Sequence, residues 1–270
     1  MSYNPILAAE HISLSYPQRG RTVPVLNDVS LALQANEIVA ILGFSGSGKS
    51  SLLRVLAGLN PAQHGQVLVH GQPSHGPHAH IGFMFQDPCL LPWLNVEENV
   101  ALGLRLKNQQ HISKQERKQR VAAMLEEVGL SHAAYNYPSS LSGGMAQRAS
   151  LARSLVRQPH VLLLDEPFSA LDAVTRAQMQ QLLVHTTQRH NTAAVLVTHD
   201  IDEALNVAQQ VILLGGAPSQ VAGRWQLAAH TTGEPCAERQ RIEKEIVALL
   251  RQERNSPCSN KVANLLAVPA

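Results

Sequence analysis

Apolar residues near the start of the chain fall on every second position. Ile12, Leu14 and Tyr16 alternate with polar neighbours, and Val29, Leu31 and Leu33 repeat the period. Side chains on a strand point alternately to opposite faces, so this spacing predicts half-buried β structure in the N-terminal part. Gly65 to Gly71 reads as a short strand between glycines, and His80 to Gln86 carries another, Ile81-Gly82-Phe83-Met84-Phe85. The period then changes. From Asn95 to Leu130 the sequence turns helical, most clearly where Val121, Met124, Leu125 and Val128 occupy i, i+3, i+4 and i+7, with Ser113 and Glu116 spaced as a capping box. A second helical stretch, Met145 to Val156, is closed by Pro159. Residues 87–158 therefore predict an all-helical insertion.

Continuous apolar runs mark the rest. Ile38 to Leu42, Val161 to Leu164, Val195 to Val197 and Val211 to Leu214 lack polar alternation, and the second and third flank a helix carrying Met179, Leu182 and Leu183. Such runs alternating with helices suit a parallel sheet covered on both faces. Gly215-Gly216-Ala217-Pro218 breaks the pattern, Ile242, Ile246, Leu249 and Leu250 predict one tail helix, and the residues after Asn255 are expected to be poorly ordered. The class is α/β. The expected divisions are 1–86, an antiparallel β subdomain with the first part of the core; 87–158, helical; 159–216, the rest of the core; and 217–270, a tail with one helix.

With 270 residues and 44% hydrophobic content the chain can bury a large core. Its formal charge is +2, from 22 basic and 20 acidic residues without a long basic block, so nucleic acid is not an expected partner. No apolar run approaches the roughly 20 residues that span a bilayer, and Met1 to Glu10 lacks a basic-then-apolar leader pattern. The expectation is a cytosolic protein whose membrane role, if any, is peripheral. Cys89, Cys236 and Cys258 are too few and scattered for a disulfide framework and lack metal-ligand spacing, which predicts reduced thiols.

Gly43-Phe44-Ser45-Gly46-Ser47-Gly48-Lys49-Ser50 follows the first continuous run and opens a helical stretch from Ser51. This is the phosphate-cradling pattern G-x-x-x-x-G-K-[ST], in which backbone N–H groups, a lysine and a helix's positive end face a triphosphate. Asp165 and Glu166 end another run, at the edge where open α/β sheets bind ligands. Asp165 with the Ser50 hydroxyl is the candidate Mg²⁺ pair, and Glu166 the candidate base that polarises water for attack on the γ-phosphate. Together with Lys49 they indicate hydrolysis. His70, His75, His78 and His80 crowd a Gly/Pro-rich loop that reads as a surface turn, without the acidic or cysteine neighbours of a metal site. Trp93, after Pro92, reads less as a cofactor platform than as a residue that packs in, or is presented by, the surface that meets a membrane partner.

Leu141-Ser142-Gly143-Gly144-Met145-Ala146-Gln147-Arg148 resembles the signature sequence of ATP-binding cassette (ABC) proteins. Gln86 resembles that family's Q-loop, Ser169-Ala170-Leu171-Asp172 its D-loop, His199 its switch histidine, and Tyr16 the aromatic that stacks on adenine. The likeness covers about residues 7–215. It implies a P-loop NTPase core binding ATP and Mg²⁺, with Tyr16, Gly43, Ser45 to Ser51, Ser142, Gly143, Gly144 and Asp172 at the nucleotide, and Gln86 joining Ser50 and Asp165 at the metal. It assigns Lys49, Gln86, Glu166 and His199 to catalysis. It further implies a head-to-tail homodimer in which Ser142 and Gly144 of one protomer complete the other's site, with Asp172 on the seam.

Phe85 to Val96, with Met145-Ala146-Gln147-Arg148, is similar to the ATPases of bacterial nitrate, taurine and aliphatic sulfonate importers. That likeness implies a peripheral place on the cytoplasmic face of the inner membrane. Two permease subunits would dock at Leu90 to Val96, served indirectly by a periplasmic solute-binding protein. Pro218-Ser219-Gln220-Val221 stands where relatives tend to carry a glycine and a basic residue. The solute stays open, a pyrimidine precursor suiting as well as another small anion, and so does an exporter ATPase. A small-molecule kinase would have no use for Ser142 to Gly144, and the long coiled coil of DNA-repair cassettes is absent from the sequence.

Overall fold

The computed structural model describes residues 4–18, 20–105, 112–227 and 237–255. Two sheets carry it. Strands β1 (Leu7–Gln18) and β2 (Arg21–Leu33) form an antiparallel pair with Leu7 opposite Leu33 and Tyr16 opposite Val23, and β4 (His64–Val69) adds to the free edge of β1. The two-residue β5 (Gln72–Pro73) closes that sheet, in the order β2-β1-β4-β5. The period of two is realised here: Ile12, Leu14, Val29, Leu31 and Leu33 are all buried.

The second sheet runs β10-β9-β3-β8-β7-β6, from β3 (Ile38–Leu42), β6 (Ile81–Met84), β7 (Val161–Asp165), β8 (Ala193–Val197), β9 (Gln210–Gly215) and β10 (Gln220–Gln226). All pairs are parallel except β10 with β9. Its continuous apolar runs divide by pleat. Ile38, Ala40, Leu42, Leu162, Leu164 and Leu196 join one core with the helices, while Val39, Ile41, Leu163, Val195 and Ile212 face a second core closed by the antiparallel sheet and α1 (Lys49–Leu56). Each fully buried valine or leucine contributes about 1.5–3 kcal/mol relative to exposure, so both faces must be covered and the runs cannot alternate with polar residues.

The first core is roofed by α2 (Val96–Leu102), α3 (Lys114–Glu127), α4 (Gly143–Leu155), α5 (Ala173–Arg189), α6 (Ile201–Val207) and α7 (Ala237–Asn255). Among the described residues 87–158 there is helix and turn but no strand. Residues 106–111 of the stretch expected to be helical lie outside the described residues, as do Cys236, Cys258 and everything after Asn255.

Two local expectations need correction, and one element was not anticipated. Ser113 caps α3 by accepting from the Glu116 N–H, but the Glu116 carboxylate pairs with Arg120 at 2.6 Å instead of turning back; the reciprocal capping box belongs to Asn95 and Glu98 on α2. The segment after Pro218 is not only a helix, because β10 returns along β9 before α7 begins. Its alternation is hidden by Gly223, where a Cβ would meet the Trp225 ring at 2.4 Å; the glycine makes room for the one large aromatic that covers this stretch. Helix α6 carried too short an apolar pattern to be predicted. Its Asp200 cap accepts from the Glu203 N–H at 3.2 Å.

Candidate functional site

Four parallel strands, β3, β8, β7 and β6, are neighbours, and the residue types singled out by sequence leave their carboxyl ends side by side. β3 runs into the glycine-rich loop, β7 ends in Asp165-Glu166, β8 leads to Thr198-His199, and β6 leads to Gln86. A crevice at strand ends of an α/β sheet collects loops and helix starts from several elements at one point.

The loop is shaped for an anion. Gly48, at φ 82°, turns the chain in the left-handed region directly before α1, so the first N–H groups of the helix open towards the loop. Lys49 is 5% exposed, and its ammonium donates to the Gly43 and Phe44 carbonyls at 2.8 Å each. Burial lowers its pKa, opposed by the carboxylates of Glu166 and Asp165. Ser47 Oγ is buried without a hydrogen-bond partner. An orphaned hydroxyl beside a buried ammonium and a helix start fits a phosphate group, which would supply the missing acceptor. Ser45 and Gly46 are exposed on the loop's crown. At the far side Tyr16 is half-buried; its hydroxyl donates to Ser51 Oγ at 3.3 Å and accepts from Asn60 Nδ2 at 2.9 Å, which fixes the ring beside the start of α1.

Across from the loop, Ser50 Oγ donates to Asp165 Oδ1 at 2.8 Å. Burial raises the Asp165 pKa, offset in part by the Ser50 hydrogen bond. A hydroxyl and a desolvated carboxylate in contact form an oxygen donor set suited to Mg²⁺, whose charge would relieve that burial cost. Glu166 adopts φ 45°, uncommon for a residue with a side chain, and its N–H donates to Val197 O at 3.0 Å. Oε2 of Glu166 accepts from Gln86 Nε2 at 3.3 Å and lies 3.4 Å from His199 Nδ1, so three of the four candidate catalytic residues meet at one oxygen.

Sequence reading missed the group behind this histidine. Glu203, 4% exposed, accepts from Thr198 Oγ1 at 2.5 Å and lies 3.5 Å from Arg176 Nε, while Arg176 also reaches Asp200 at 3.7 Å. Burial raises the Glu203 pKa, and the Thr198 bond opposes the shift. Thr198 and Asp200 flank His199, so this network sets the backbone that carries it. The Asp200-x-x-Glu203 spacing was the available signal.

Ser142 to Gly144 lie elsewhere. Ser142 caps α4, accepting from the Met145 N–H at 3.3 Å, and a Cβ on Gly144 would meet Thr175 Cγ2 at 2.4 Å, so α4 and α5 approach closely here. Asp172 caps α5: its Oδ1 accepts from the Val174 and Thr175 N–H groups at 3.1 and 3.0 Å, hydrogen bonds that hold its pKa low. His70, His78 and His80 come together at the opposite end of the sheet with His160, which sequence reading did not associate with them; His70 Nε2 and His160 Nδ1 are 2.9 Å apart, and the His80 and His160 rings stack at 4.1 Å. Among the described residues no group of three or more His, Cys, Asp or Glu side chains is arranged to hold a metal ion.

Trp93 is 69% exposed, and Phe85, Tyr135 and Tyr137 are exposed too. The Trp93 segment is pinned beneath by fully buried Asn99, which donates to the carbonyls of Leu91, Leu94 and Asn95 and accepts from the Leu91 N–H. No helix among the described residues is long and apolar enough to cross a membrane.

Residues 26–169 match the family model described as ABC transporter. The chain is 44% identical over 218 residues to the taurine import ATP-binding protein TauB of Pseudomonas aeruginosa, covering 81% of this chain and 82% of the relative. It is 48% identical over 205 residues to the aliphatic sulfonates import ATP-binding protein SsuB 1 of Xanthomonas axonopodis pv. citri, covering 76% and 81%. Among solved structures it is similar to the dimeric post-hydrolysis state of the ATP-binding cassette MJ0796 bound to ADP and Pi, with TM-score 0.73, 31% identity and coverage of 83% of this chain and 100% of that one.

Proposed function

The chain belongs to the ABC transporter family, and on that premise we propose that it is the ATP-hydrolysing subunit of a bacterial importer for a small organic or inorganic anion such as taurine, an aliphatic sulfonate or nitrate. The observation that carries the hydrolytic part is the meeting of Gln86, Glu166 and His199 across the strand ends from the Lys49 loop. The names of the relatives support the solute class.

In this reading Lys49 and the N–H groups of the loop hold the β- and γ-phosphates, and Tyr16 offers its ring to adenine. Ser50 and Asp165, with Gln86 nearby, would hold Mg²⁺, which when bound neutralises charge on the phosphate oxygens. Glu166 draws a proton from water as the water oxygen bonds to the γ-phosphorus and the bond to the bridging oxygen of ADP breaks. His199 and Gln86 fix the carboxylate's position and contact the γ-phosphate. Ser142 to Gly144 of a second protomer complete the site, with Asp172 along the seam, so ATP joins two protomers and hydrolysis releases them.

The exposed Trp93, on a segment stiffened by Asn99, and the exposed Phe85, Tyr135 and Tyr137 supply apolar surface for permease subunits. The protein then works at the cytoplasmic face of the inner membrane, and a periplasmic binding protein delivers the solute. Uptake of labelled taurine, alkane sulfonates, nitrate and a pyrimidine precursor in cells with and without this subunit tests the assignment. Loss of uptake of one of these anions on deletion, restored by the wild-type chain, is expected. Unchanged uptake of all of them, or loss of an efflux activity instead, would refute it.

A further inference from the structure

Helix α4 begins at Ser142 and passes directly behind the segment that carries Gln86. Its residues Gln147, Ser150 and Ser154, at i, i+3 and i+7, share one face, and Arg157 follows in the turn after the helix. Two of these, with Arg153 and Arg157, reach backbone carbonyls of residues 79–89. Gln147 Nε2 donates to Gln86 O at 3.0 Å, Arg153 donates to Pro88 O and Cys89 O at 2.6 Å each, Ser154 Oγ donates to Phe83 O at 3.0 Å, and Arg157 donates to Ala79 O at 3.0 Å.

Two features mark these contacts as more than helix packing. Gln147 is 1% exposed, and its Oε1 is buried with no hydrogen-bond partner, so the amide accepts a polar burial cost to make a single directed bond to Gln86. Arg153 has no carboxylate partner among the described residues, and burial depresses its pKa; its fork donates to the consecutive carbonyls of Pro88 and Cys89 and, at 3.3 Å, to Ser150 Oγ, with Cys89 held at φ 46°. A guanidinium needs no such placement to stabilise a surface turn.

We infer that Gln147 and Arg153 are positioning residues that fasten Gln86 to the signature helix, so that α4 and the Gln86 segment move as one body. The route is short. Ser142 to Gly144 form the start of α4, Gln147 lies one turn in, its amide holds the Gln86 carbonyl, and the Gln86 side chain touches Glu166. A nucleotide engaged at the start of α4 in one protomer is thereby registered at the candidate base of that same protomer's own site. Neither residue touches the reacting atoms.

This rests on the hydrolytic reading of Glu166, and the test separates the two. Gln147→Met keeps the length and volume of the side chain but removes the donor, and Arg153→Lys keeps the charge but cannot span both carbonyls. Steady-state ATPase of the full chain, with ATP affinity and thermal midpoint measured alongside, is expected to show kcat about tenfold lower in each variant, the scale of one lost directed hydrogen bond, at little-changed KM. A double-mutant cycle with Gln86→Ala is expected to be non-additive, Gln86→Ala/Gln147→Met being no slower than Gln86→Ala alone. Wild-type kcat in both variants, or additive losses in the cycle, overturns the inference. Unimpaired hydrolysis by Glu166→Gln in the same assay would instead overturn the reading beneath it.

Discussion

The mixed sheet has two ends, and both gather titratable side chains, yet they are built on opposite terms. At the carboxyl ends an ammonium, two carboxylates and an imidazole come together with an orphaned Ser47 hydroxyl and a Glu166 backbone at φ 45°. At the amino ends His70, His78, His80 and His160 satisfy one another by ring stacking and a hydrogen bond, and burial with mutual repulsion lowers the pKa of His78 and His160. Density of chemically able residues is therefore a poor guide to function. Unmet demand, in the form of an unpaired buried polar atom, a strained backbone or a charge awaiting a partner, is the better one.

The contrast between the two ends is greatest at Glu166. Glu166→Gln should bind ATP and lower turnover on the order of a thousandfold, the scale of a lost general base, with phosphate release as the readout; turnover near that of the wild type would leave the carboxyl end without its assigned chemistry. Lys49→Ala should weaken ATP binding by roughly 10- to 100-fold, because a buried charge-assisted contact to the phosphates is removed. Equilibrium binding of a fluorescent nucleotide checks it, and undiminished affinity would contradict the role given to the loop. Glu203→Gln should cost less, about fivefold in kcat, since it loosens only the turn that carries His199. A KM change without a kcat change would place Glu203 in binding instead.

The smallest effect belongs to the other end. A histidine whose folded pKa is depressed binds protons more readily when unfolded, so the neutral cluster's contribution is complete above the ordinary value near 6.5 and is lost as pH falls through the lower folded value. The thermal midpoint should be level above about pH 7 and decline below about 6.5, more shallowly in His160→Asn, while turnover at neutral pH stays unchanged. A large turnover defect in His160→Asn would erase the contrast between the ends.

Much of this was legible from residue order, for physical reasons. Period two in β1 and β2 and unbroken apolar runs in β3, β7, β8 and β9 follow directly from one-sided and two-sided burial, and the loop from Gly43 to Ser50 announces its own backbone geometry. What escaped depended on distant partners. β10 was obscured because Gly223 yields its place to Trp225, and α6 because seven residues are too few to show a period. The Glu116 carboxylate was drawn to Arg120 one turn on. His160 joins its cluster only through the pairing of β6 with β7, and the Asp200-x-x-Glu203 spacing signals a helix start but not that Glu203 is buried against Thr198.

In the proposed dimer each nucleotide site is shared between two protomers. Mixing Lys49→Ala with Ser142→Arg, each expected to be inactive alone, tests that sharing. In a head-to-tail heterodimer the intact loop of the Ser142→Arg chain faces the intact helix start of the Lys49→Ala chain, so ATPase activity should reappear on mixing. A mixture as inactive as its components, while the two chains are shown to associate in ATP, would contradict the claim.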